Sequence, residues 1–196
     1  MKRLSILLVL CGTLAAQEVT NVDSTTPQDV QIRIAKTAGP TDVAENANVY
    51  ILGKNGYELA VKGTNGFSCA IERQMPNTME PECYDREGSR TTFLVRSFVE
   101  HQRAKGVSEE KIEQQIEAGY KSGKFKAPSK PGIVYMLSDS NYVFDPDSKK
   151  IIHFPGHLMF YAPYATKQTV SSGAGAPYIV NPGKPDALMI VVPAKH

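Results

Sequence analysis

The chain has no tryptophan, only three cysteines, no long apolar run and almost no excess of either charge. Each shortage removes a class of protein. The apolar stretches at 4–10 and 187–192 fall far short of the ~20 residues that cross a bilayer, so no membrane span is expected. Lys and Arg number 22 against 20 Asp and Glu. Lys2 and Arg3 sit at the extreme N-terminus, so the rest of the chain balances, which leaves no electrostatic case for nucleic acid or an anionic membrane surface as partner. The cysteines lack Cys-x-x-Cys spacing and nearby histidines, which argues against a metal or catalytic thiol site. There is no Gly-x-Ser-x-Gly nucleophile elbow, and no cofactor motif is found.

What is present begins with an address. Lys2-Arg3, an apolar run over 4–10 and the small residues Thr13 to Ala16 follow the order of a secretory signal peptide. The reading is therefore a signal peptide at 1–16, a flexible lead-in at 17–26 and a single globular domain over 27–196, secreted or periplasmic. Cys11 raises a lipoprotein alternative, but Leu10 occupies a place where that processing prefers a small residue. Removing the leader leaves two cysteines, Cys69 and Cys83. An even count in an oxidising compartment predicts one disulfide.

Periodicity predicts an α+β fold with a mostly antiparallel sheet. Over 27–38, Thr26-Pro27 suits a helix start, while Val30, Ile32 and Ile34 also alternate as a strand would. Residues 48–52, 57–62 and 67–72 are short β-rich runs separated by Asn55-Gly56 and Asn65-Gly66, the signature of a three-stranded antiparallel meander. Cys69 falls on its third strand and Cys83 in a Pro/Met/Glu-rich loop over 74–88. A central helical pair follows, over 92–105 and from Ser108 to Gly123, with Ser108 as cap and Glu109 and Glu110 at its positive end. C-terminal strands at 133–137, 142–145, 150–154, 157–161, 177–180 and 187–192 complete the sheet.

Candidate chemistry is sparse. Ser108-x-x-Lys111 and Lys121-Ser122-Gly123 resemble penicillin-binding motifs, but they lie on and just after one helix and cannot face each other across a cleft. Asp145-Pro146-Asp147-Ser148 lacks the glycine and closing glutamate of a calcium loop and reads as a hairpin turn. His153 and His157 are four apart, yet Phe154-Pro155-Gly156 between them rules out the helix on which that spacing would bind zinc, and no metal site is assigned. Alternation after Pro155-Gly156 places His157, Met159 and Tyr161 on one face of a strand, with His157 and Tyr161 side by side.

Gly63-Thr64-Asn65-Gly66-Phe67-Ser68-Cys69, then Pro81-Glu82-Cys83-Tyr84-Asp85, resembles a pattern in an uncharacterised family of secreted bacterial proteins. Residues 155–163 and 187–193 are similar to that family too. The resemblance carries no assigned activity. It supports pairing Cys69 with Cys83 and singles out His157. The leading functional expectation is a non-catalytic binding or structural module for an envelope or extracellular ligand, with His157, Tyr161 and His153 as candidate ligand-binding residues. The alternative is a small secreted hydrolase or metal-dependent enzyme using His153 and His157 with an acid in one pocket.

Overall fold

The structure, a computed structural model, describes residues 22–73, 78–145, 147–170 and 175–192. The signal segment expected at 1–16 and residues 17–21 of the expected lead-in lie outside them. Residues 22–26 are not loose. Val22 is buried among Ile34, Val49 and Ile71, and Asp23 accepts from both the amide and the hydroxyl of Thr25 in a tight turn.

Over 27–38 the helix prevails. Pro27, its φ already set, starts α1 (Gln28–Lys36), which buries Gln31, Ile34 and Ala35 along one face. A short helix α2 (Thr41–Ala44) leads into β1 (Asn48–Gly53). Gln31 fastens α1 to that strand, because its amide donates to the Leu52 carbonyl and accepts from the Leu52 amide. The Asn55-Gly56 turn then returns the chain as antiparallel β2 (Gly56–Val61).

The next strand departs from the meander. β3 (Ser68–Glu72) pairs with β1 in parallel, Asn48 beside Ser68 and Val49 beside Cys69, on the edge of β1 away from β2. To arrive there the chain crosses the start of β1. Gly63 lies so close that a Cβ would stand 2.2 Å from the Ala47 carbonyl carbon, and the amides of Thr64 and Asn65 both donate to the Asn46 carbonyl. Asn65-Gly66 thus serves a crossover rather than a hairpin.

The second departure is β4 (Glu80–Tyr84), expected as loop and found as a fully buried strand antiparallel to β3. Cys69 and Cys83 lie directly opposite each other and form the disulfide, which joins neighbouring strands instead of tying down a loop. With the cysteines 14 positions apart in sequence, the Cys69→Ala/Cys83→Ala protein is expected to lose about 3 kcal/mol, read as a lower urea midpoint. A loss under about 1 kcal/mol would show that packing alone fixes this strand pair.

The helical pair follows a one-turn helix α3 (Arg86–Ser89) capped by Asp85. It consists of α4 (Thr92–Ala104) and α5 (Glu109–Lys121), and Ser108 caps α5 as the sequence implied. Strands β5 (Ile133–Met136), β6 (Tyr142–Asp145), β7 (Lys150–His153), β8 (His157–Tyr161), β9 (Tyr178–Val180) and β10 (Leu188–Val191) complete the described fold. Eight strands make one sheet in the order β2-β1-β3-β4-β5-β8-β10-β9, and β6–β7 is a separate hairpin. Apart from the β1–β3 pair, the described strand pairs are antiparallel. α1 covers one face with Ile71, Met79 and Tyr142. Phe93 of α4 packs on the other with Ala70, Tyr84, Met136 and Met159. No described helix is long and apolar enough to cross a membrane.

Candidate functional site

The face under α4 carries acid where a core normally carries hydrocarbon. Alternation along β3 and β4 sends Glu72, Glu80, Glu82 and Tyr84 to that side, with Glu72 directly opposite Glu80 and Ala70 opposite Glu82. All three glutamates are buried. Arg96 of α4 forms an ion pair with Glu72 (Nε–Oε2 3.2 Å) whose angle does not make a hydrogen bond. The Tyr84 hydroxyl reaches carboxylate oxygens of both Glu72 and Glu82. A phenol has one proton to donate, so the other close contact requires a proton on a carboxyl. Burial supplies the cause: it raises Glu72, pushes Glu82 well above the usual carboxylate range, and lifts Glu80 to about 7 against a hydrogen bond with Thr78. A neighbouring cluster is better balanced, with Glu100 paired to both Arg73 and Arg103, and Arg103 also to Glu109.

Glu80 also forms part of the wall of a cavity of about 300 Å³, at the small end of the range for ligand pockets. Met136 of β5, Met159 of β8, Val180 of β9 and Ile190 of β10 line the sheet side. Val143 of β6 and Phe154 line it from the hairpin. Tyr178, half exposed, also borders it. The remaining polar group is His157, at the first position of β8, which is 5% exposed. Its Nδ1 lies 3.0 Å from the Pro155 carbonyl. A carbonyl only accepts, so Nδ1 carries the ring proton. Burial lowers the pKa of the imidazole, which favours the neutral ring.

The three histidine and tyrosine candidates separate in space. His157, Met159 and Tyr161 do share the buried face of β8. Tyr161, however, is not beside His157. It lies ~13 Å further along the strand, where its hydroxyl donates to Asp85 at 3.1 Å and lies near the Ile133 carbonyl. His153 is exposed on β7, set edge-on to Tyr142 at 4.1 Å between ring centroids, and does not line the cavity. The two imidazoles therefore do not converge, and among the described residues no group of three His, Cys, Asp or Glu side chains is placed to hold a metal.

The cavity instead pairs His157 with Glu80, which sequence reasoning had assigned to a loop. The signal that could have found it is the alternation Glu80-x-Glu82-x-Tyr84, a period of two written in polar letters. The other motifs resolve as local structure. Ser108 accepts from the Lys111 amide as a cap, and Asp145 accepts from the Asp147 amide and the Ser148 hydroxyl within a turn. No protein-family model, curated protein or solved structure matches the chain, so the functional reading stands on the geometry of this cavity.

Proposed function

We propose that the protein is an exported, non-catalytic module that binds a small, mainly apolar molecule in the cavity between Glu80 and His157. The observation that carries this reading is the cavity wall. Hydrocarbon from four strands of the sheet, the β6 strand and Phe154 surrounds two buried polar groups, the usual composition of a small-molecule site. No serine, threonine or cysteine is among the residues that line it, so the histidine and the carboxylate there have no aliphatic hydroxyl or thiol to activate. Export is supported by the leader at 1–16 and by the paired cysteines.

The test is a thermal-shift and calorimetric titration of the purified protein with six-carbon alcohols and amines. A ligand at a hundred times its Kd should stabilise the folded state by about 2.7 kcal/mol. Val180→Phe, which puts a ring into the cavity, should abolish the effect while the variant stays folded. Failure of every such compound to raise the melting temperature would refute the reading.

A further inference from the structure

Two polar groups of the cavity are acceptors. Glu80 presents a carboxylate, 4% exposed, whose neighbour by hydrogen bond is the Thr78 hydroxyl; among the described residues no cation forms an ion pair with it. His157 has its proton on Nδ1, held by the Pro155 carbonyl, so its Nε2 offers a lone pair. That nitrogen has no hydrogen-bond partner among the described residues, although the side chain is 5% exposed. The atom is not sealed in protein, so a molecule in the cavity can reach its lone pair and donate to it.

The surrounding charges sharpen the point. Glu80 faces Glu72 across β3, Glu82 two residues along its own strand, His157 from β8 and Arg96 from α4. Arg96 is engaged by Glu72, while Arg73 and Arg103 are engaged by Glu100. The face therefore holds three carboxyl groups against one guanidinium; among the described residues Glu80 and Glu82 form no ion pair, and of these two Glu80 lines the cavity.

Resting on the binding reading above, we propose that the ligand is a small apolar amine bound as its ammonium ion, its N–H groups donating to the Glu80 carboxylate and to Nε2 of His157 and its hydrocarbon lying against Met136, Met159 and Ile190. An ammonium supplies a donor to Nε2 of His157, a further donor to Glu80 beside the Thr78 hydroxyl, and a counter-charge for the ionised Glu80. An alcohol supplies one donor and no charge, and a carboxylate ligand supplies neither. Because burial keeps Glu80 protonated up to about pH 7, amine binding must also release that proton, and affinity should rise with pH through that range.

The full chain is titrated with hexylamine, hexanol and hexanoate at about pH 8, where the carboxylate is formed and the amine is still charged. Hexylamine is expected to bind about tenfold or more tightly than hexanol, with hexanoate weakest, and its advantage should shrink at about pH 5.5. Glu80→Gln should bring hexylamine down to the affinity of hexanol and leave hexanol unchanged. The wild-type comparison stands even if that variant does not fold. Hexanol or hexanoate binding as well as hexylamine at about pH 8 overturns the amine assignment and leaves the binding cavity intact. If none of the three binds, the cavity reading fails and the amine assignment falls with it.

Discussion

Arg96→Met is expected to destabilise the protein by about 3–5 kcal/mol at neutral pH, because removing one partner of a buried ion pair strands the other. Glu72 is 4% exposed at its side chain and faces another acid, Glu80, across the strand pair, so without Arg96 it has no counter-charge. The stranded carboxylate can escape by taking a proton, so the deficit should shrink as pH falls towards 5. Arg96→Met/Glu72→Gln should recover most of the loss, since the second change removes the charge that the first leaves unpaired. Urea midpoints of the two singles and the double form the cycle that measures this. A deficit for Arg96→Met below about 1 kcal/mol would mean that Glu72 is already neutral in the folded protein.

The stability of the protein should fall, not rise, between about pH 4.5 and pH 7. In the unfolded chain Glu80 ionises near the ordinary carboxylate value of 4.5, whereas in the fold burial holds its proton to about 7. Between those values the folded state binds more protons than the unfolded state, so stability declines as pH rises, by about 3 kcal/mol from this group alone. Glu72 and Glu82 are raised by burial as well and act in the same direction. Glu87 works oppositely. The Ser129 amide, Arg90 and the Ser129 hydroxyl hold it down to about 2, so its contribution is present above pH 4.5 and is lost as the pH falls from there through about 2. Stability should therefore peak near about pH 4.5, and Glu80→Gln should flatten the decline above it. Urea midpoints that stay level or climb from about pH 4.5 to pH 8 would contradict the assignment of buried, protonated glutamates.

Much of the framework was readable because local chemistry and burial agreed. Ser108 caps α5 and Asn55-Gly56 turns β1 into β2 just where hydrophobic period and turn residues predict. His157, Met159 and Tyr161 point inward as alternation requires. What escaped has physical reasons. β4 was illegible because its buried side chains include Glu80 and Glu82, and a strand is recognised by apolar alternation. The structure tolerates those acids through a phenol two residues along the same strand, through burial that favours their protonated forms, and through a cation from α4 that local sequence does not reveal. β3 was misassigned because Asn-Gly predicts a tight turn but not which edge of β1 the next strand will take. That choice is set by the close passage of Gly63 over Ala47, a contact between backbones. Tyr161 fell away from the candidate site for a third reason: sharing a face says nothing about distance along it.

The order of strands has a kinetic consequence. Read along the sheet, β2, β1, β3 and β4 come from residues before 85, and β5, β8, β10 and β9 from residues after 132, so the sheet divides into two runs of sequence that meet where Cys83 pairs with Tyr135 and Tyr84 with Val134. Each half can form most of its own pairings over short loops, but the junction must close the whole helical insertion between them, which makes it the entropically slowest contact to establish. Glu80 belongs to the first half, whereas Met136, His157, Met159, Val180 and Ile190 belong to the second. A molecule in the cavity touches both at once and acts as a clamp across the junction. Amides of β4 and β5 should then exchange with solvent more slowly when it is bound, while those of the β1–β2 hairpin, which lie wholly within one half, keep their rates.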